Sequence, residues 1–89
     1  MFDVKDLRCF VAVYERRGFA RAAIQLHTVQ SAVSTRIRKL ESLVGAPLFE
    51  RMHRGIAATN KGDLLYRHAK RVLDQFDELE KTVRGERAA

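Results

Sequence analysis

The chain has 89 residues, 46% of them hydrophobic, with 17 Lys and Arg against 11 Asp and Glu for a formal charge of +6. That length makes one small domain, able to close a helical core without covalent staples, and the composition excludes a disordered chain. One cysteine excludes an internal disulfide, and with no long apolar run and no signal-peptide plan the chain reads as cytoplasmic, with no membrane partner.

The basic excess favours an anionic partner, and it is unevenly placed. Residues 29–58 hold five basic residues against two acidic ones, whereas residues 59–89 hold seven against six. The predicted first helix opens at Asp3, a good N-cap, with Asp6 suited to the first turn. Leu7, Phe10, Val11 and Tyr14 form its buried stripe, with Val4 and Val13 alongside. Cys9 in this pattern reads as a small buried hydrophobe rather than a reactive thiol. Arg16 and Arg17 suit the negative end of the helix, and Gly18 is expected to take the left-handed conformation that stops it.

A short second helix is predicted from Phe19 to His27, with Phe19, Ala22, Ala23 and Leu26 on one face. The two alanines let another helix approach closely. The break that follows, Leu26-His27-Thr28, is tight and lacks glycine. The third helix then puts Val33, Ile37, Leu40 and Val44 on an apolar stripe. Its opposite side carries Ser31, Thr35, Arg38, Lys39 and Ser42, with Gln30 and Ser34 near the open first turn and no carboxylate before Glu41. Taken alone this is the face of a solvated bundle helix. After a short helix and a tight turn, it is what a helix needs to lie in a major groove. Gly45 and Pro47 end it.

Leu48-Phe49-Glu50-Arg51 and Ile56-Ala57-Ala58 can pair as two short strands around Met52-His53-Arg54-Gly55. The tip of that wing would present His53 and Arg54, and an arginine there suits a narrow, electronegative minor groove. From Thr59, an N-cap, one long helix follows. Leu65, Ala69, Val72, Phe76, Leu79 and Val83 recur at spacings of four and three, an a/d seam widened by Leu64 and Leu73. So small a body cannot bury the far half of this helix. The surplus seam therefore predicts a partner helix, most simply that of a second copy. Residues Gly85 to Ala89 read as a frayed tail.

Enzyme chemistry is not legible. His27, His53 and His68 form no ligand pair at helical spacing, and a zinc site with one Cys is improbable. No phosphate-cradling glycine loop is present, and Asp74, Asp77, Glu78 and Glu80 read as a solvated face. No catalytic residue, metal ligand or cofactor is assigned.

The run Leu7-x-x-Phe10, Ala22-Ala23-x-x-Leu26, Gln30-Ser31-Ala32-Val33-Ser34, Ile37-x-x-Leu40-Glu41, Gly45-x-x-Leu48-Phe49-x-Arg51 and Thr59-x-x-Gly62 closely resembles the N-terminal DNA-binding domain of LysR-type transcriptional regulators. The likeness covers essentially the whole chain in order. It implies a mainly α fold, a winged helix-turn-helix over residues 1–58 followed by a long linker and dimerisation helix over 59–89. It also implies double-stranded DNA as partner and a homodimer through the last helix, with the seam Leu65, Ala69, Val72, Phe76, Leu79 and Val83 as its interface. Inducer binding and tetramer assembly would belong to a larger domain that this chain lacks. Carried over by position, Gln30 contacts a base with Ser31 beside it, and Ser34 holds a phosphate. Thr35, Arg36 and Arg38 are nearby base or backbone contacts. Arg54 enters the minor groove, and Arg51 is structural or phosphate-binding. Three residues depart from the family's pattern: Gly18 and Val29 stand where serine is usual, and Ala58 where leucine is. The competing readings are a helical protein-interaction module with a merely solvated basic helix, and a sequence-blind nucleoid-type DNA binder.

Overall fold

In the computed structural model, which describes residues 1–85, four helices and a two-stranded hairpin follow one another. Asp3 accepts a hydrogen bond from the Asp6 N–H at 2.8 Å and opens α1, Val4–Arg16, as expected of a carboxylate N-cap. The helix stops one residue earlier than expected. Arg17, not Gly18, takes the left-handed conformation (φ 58°), and Gly18 is extended at the start of α2, Phe19–Gln25. Arg21 makes this possible by reaching back, its Nη1 donating to the carbonyls of Arg16 at 3.3 Å and Arg17 at 3.5 Å. The second helix is shorter than predicted because His27 turns left-handed (φ 57°), and the Thr28 N–H closes the turn on the Ala23 carbonyl at 2.9 Å.

α3 runs from Gln30 to Val44 and ends at Gly45. β1, Phe49–Met52, pairs antiparallel with β2, Gly55–Ala58, in the register Phe49↔Ala58 to Met52↔Gly55. His53 and Arg54 form the loop, and Gly55 supplies the positive φ of 102° that the reversal requires. Leu48 lies outside the strand predicted for it. Its side chain is fully buried, its N–H donates to Glu41 Oε2 at 2.8 Å, and its carbonyl accepts the Thr59 N–H at 3.0 Å. Glu41 and Leu48 thus tie the end of α3 to the root of the wing.

α4, Asn60–Arg84, is capped by Thr59, whose hydroxyl accepts from the Gly62 N–H at 3.0 Å and donates to the Pro47 carbonyl at 2.7 Å. The tail predicted over residues 85–89 falls, beyond Gly85, outside the described residues. α1 lies centrally, in contact with α2, α3 and α4. Phe10, Val13, Val33, Leu40 and Leu48 fill the interior, and Ala69 and Leu73 of α4 close the same core. Cys9 is buried there, and burial pushes its thiol up to about 11, leaving it unreactive near neutrality.

A stacked tyrosine pair sets where α4 lies on α1. The rings of Tyr14 and Tyr66 are parallel within 6° at a centroid distance of 3.8 Å. Tyr14 donates to Asp63 Oδ1 at 2.8 Å, and Tyr66 donates to Glu15 Oε2 at 2.6 Å. The accepting Glu15 carboxylate, aided by desolvation, holds Tyr66 up to about 12, and Asp63 raises Tyr14 in the same way. Because the folded state retains these protons after the unfolded state has lost them, stability is complete below about pH 10 and declines between there and about pH 12. Urea midpoints measured at about pH 9 and about pH 11 should fall for the wild type. A Tyr14→Phe/Tyr66→Phe double variant should lose the tyrosine share of that fall. An identical fall in both proteins would mean that the two phenols do not hold their protons through folding.

Candidate nucleic-acid interface

Burial of Val33, Ile37 and Leu40 against α1 and α2 fixes which side of α3 faces outward. Gln30, Ser31, Thr35 and Arg38 are exposed there and Ser34 is half-buried, as helical spacing requires. The Thr35 hydroxyl donates to the Ser31 carbonyl at 3.0 Å, which leaves its lone pairs for a donor from outside. At the N-terminus, Val29 is the extended N-cap and no side chain caps the helix, so Thr28 does not substitute for the missing serine. The N–H groups of Gln30 and Ser31 precede the first intrahelical bonds, those of Ala32 and Val33 to the Val29 carbonyl.

Two cations of α3 are committed elsewhere. Arg36 Nη1 donates to Asp6 Oδ1 at 2.9 Å, and Lys39 Nζ meets Asp6 Oδ2 at 2.7 Å and Asp3 Oδ2 at 3.5 Å. Asp6 has no exposed surface, so its carboxylate requires these partners. The contact with Asp6, foremost, raises the Lys39 ammonium, and the bond from the Asp6 N–H lowers Asp3. The Arg36–Asp6 pair links α3 to α1. Arg36, expected as a base or backbone contact, is here tied by an ion pair to the buried Asp6, with 41% of its side chain still exposed.

Other cations take its place. A shallow groove of about 200 Å³ between α3 and the wing is lined by Ser34, Arg38, Glu41, Glu50 and Arg51 over a floor of Phe19, Ile37, Phe49 and Ile56. A second cleft, of about 420 Å³, brings Gln30 together with Arg51 and Met52 of the wing and with Arg17 and Arg21 of the α1–α2 corner. The expected residues Gln30, Ser34, Arg38 and Arg51 therefore share one continuous surface. His53 and Arg54 stand exposed at the wing tip. Arg17 and Arg21 are additional cations; local pattern assigns Arg17 only to a helix end and gives Arg21 no role. Nothing in their spacing reveals that the corner folds back beside Gln30.

The expected seam of α4 divides in two. Ala69 is 2% exposed and Leu65 is half-buried, both against this chain's own core, so Ala69 has no surface left for a partner. Phe76 is half-buried, with the Arg8 guanidinium 5.8 Å from its ring centroid and paired to Asp77 at 2.8 Å. Val72 is exposed although the adjacent Leu73 is buried, so it faces away from the core. Leu79 and Val83, the latter exposed to 76%, lie beyond Leu73, the last buried residue of the helix. Among the described residues no group of three His, Cys, Asp or Glu could hold a metal ion, and no helix is long and apolar enough to cross a membrane.

The family model for bacterial regulatory helix-turn-helix proteins of the lysR family matches residues 4–63. The HTH-type transcriptional regulator DgdR of Burkholderia cepacia is 44% identical over 76 residues, which cover 85% of this chain and 26% of DgdR. The Hca operon transcriptional activator HcaR of Escherichia coli K12 is 41% identical over 75 residues, 84% of this chain and 25% of HcaR. Among solved structures, the chain in the crystal structure of the CbnR_DBD–DNA complex matches with a TM-score of 0.86 at 32% identity, covering 94% of this chain and 97% of that one. The chain thus spans about a quarter of the length of DgdR and HcaR.

Proposed function

The chain belongs to the lysR family of bacterial regulatory helix-turn-helix proteins, and on that footing we propose that it is the sequence-specific DNA-binding part of a transcriptional regulator, acting in the cytoplasm at the nucleoid. α3 lies in a major groove and the wing reaches the adjacent minor groove. The observation that carries this reading is the continuous outer surface of Gln30, Ser34, Arg38 and Arg51, bordered by Arg17 and Arg21 and backed by the buried Val33, Ile37 and Leu40. In the assignment of roles, Gln30 offers the amide that pairs with adenine N6 and N7. Ser31 and Thr35 flank it, and Ser34 and Arg38 hold the phosphate backbone with Arg51, Arg17 and Arg21. Arg54, with His53 beside it, enters the minor groove. Two copies pair through the outer face of α4, where Val72, Leu79 and Val83 are exposed beside Phe76 and Leu65, and read two half-sites of an inverted repeat. Inducer response and tetramer assembly are not ascribed to these residues.

Titration with random duplex DNA at several salt concentrations tests the reading. Binding should fall steeply with salt because each neutralised phosphate releases counterions. No binding at low salt would favour the protein-interaction module. A duplex selected from a random pool should then bind far more tightly than random DNA, whereas a sequence-blind binder shows no such gain. On the selected duplex, Gln30→Ala should lose about 1–3 kcal/mol of discrimination at one base pair per half-site. An unchanged preference among operator variants in competition would remove Gln30 as the reader.

A further inference from the structure

Val29 breaks a rule that the other long helices of this chain obey. Asp3 accepts the Asp6 N–H at the start of α1, and Thr59 accepts the Gly62 N–H at the start of α4. Val29, at the same position of α3, has nothing to accept with, and the residue is 63% exposed. It therefore stabilises neither its helix nor the core. A residue that violates local preference without gain inside the fold is expected at a functional position.

Its surroundings say what it meets. Val29 immediately precedes Gln30, at the end of α3 that reaches base edges in a helix-turn-helix. The cleft that Gln30 lines is bordered by Arg17, Arg21 and Arg51, a setting for a polyanion rather than for an apolar protein surface. Within a major groove the apolar feature of a base edge is the C5-methyl group of thymine. A β-branched isopropyl group is stiff at χ1, so it offers that methyl a preformed surface without ordering cost.

We propose that Val29 is a specificity-determining residue, packing against the C5-methyl of a thymine beside the base pair read by Gln30. The proposal rests on the DNA-binding reading of α3 and names part of the sequence that it prefers. It also explains why serine, the better cap, is absent. A serine there would hold the helix end but present a hydroxyl to the methyl.

The test uses the duplex selected by the wild-type chain, with each thymine near the Gln30 position replaced in turn by deoxyuridine, which removes only the methyl. One thymine per half-site should weaken wild-type binding roughly threefold to tenfold when so replaced, the range expected for burying one methyl group. Val29→Ser should bind the thymine and uracil duplexes equally. It should also melt several degrees higher than the wild type, because its helix regains a cap; this shows that the variant is folded. Wild-type indifference to every such replacement, with the preference for the selected duplex intact, would overturn the proposal and leave the DNA-binding reading standing. Continued discrimination of thymine from uracil by Val29→Ser would also overturn it. Absence of any selected duplex would remove both.

Discussion

Gly62→Ala should destabilise the fold by about 3 kcal/mol or more. A Cβ at Gly62 would stand 2.2 Å from the Leu48 carbonyl oxygen, 3.2 Å from the Leu48 carbonyl carbon and 3.4 Å from the Ala58 Cβ. The obstruction is backbone, and it is pinned on both sides. The Leu48 oxygen accepts the Thr59 N–H, the Leu48 N–H donates to Glu41, and the side chain between them is fully buried. Relief would require α4 to lift from the wing root, breaking the Thr59 cap and opening the contact of Ala69 and Leu73 with the core. The better helix propensity of alanine, about 1 kcal/mol, offsets only part of this. Gly45→Ala is the comparison: no atom lies within 4 Å there, and only the left-handed backbone (φ 81°) is strained, so about 1 kcal/mol is expected. Urea unfolding followed by circular dichroism measures both. Equal midpoints for Gly62→Ala and the wild type would show that α4 does not approach Leu48 this closely.

Arg36→Ala should cost about 2–4 kcal/mol of stability, although the residue sits on the helix proposed to meet DNA. The substitution removes a charge-assisted bond from a carboxylate that has no exposed surface. Lys39 keeps the other oxygen of Asp6, which holds the loss below that of a fully stranded charge. Asp6→Asn/Arg36→Ala should be less destabilised than the two single losses added together, because the pair is coupled. DNA binding separates the two roles. If Arg36 were a phosphate contact, Arg36→Ala would keep its stability and lower the salt slope by about 0.9. The scaffold role gives the reverse, a lowered midpoint with the slope retained.

The two cases mark the limit of what local pattern carries. The start of α1 and of α4 is legible because a cap and the N–H that it accepts lie three residues apart, as Asp3 with Asp6 and Thr59 with Gly62. The inward stripe of α3 is legible because a period of 3.6 residues is read along the chain itself. The same period puts Arg38 on the outer side and leaves Arg36 off it, but it gives neither cation a partner. The buried Asp6, 30 residues earlier, supplies one to Arg36. The corner at Arg17 is similar. Glycine next to a helix end is the ordinary signal for a stop, and it fails here because Arg21 satisfies the last carbonyls of α1 and frees Gly18 to begin α2.

The order of helices, the outward placement of Gln30, Ser34 and Arg38, the wing and the apolar seam of α4 were set by short-range chemistry, namely caps, periodicity and turn residues. Tertiary structure alone decided that Arg36 pairs with the buried Asp6 and that Arg17 and Arg21 join the surface beside Gln30. It also decided that Ala69 is spent on the core, and that Gly62 is required by Leu48. Each of these depends on a partner far away in sequence, and a contact between distant residues leaves no period or spacing in the chain to be read.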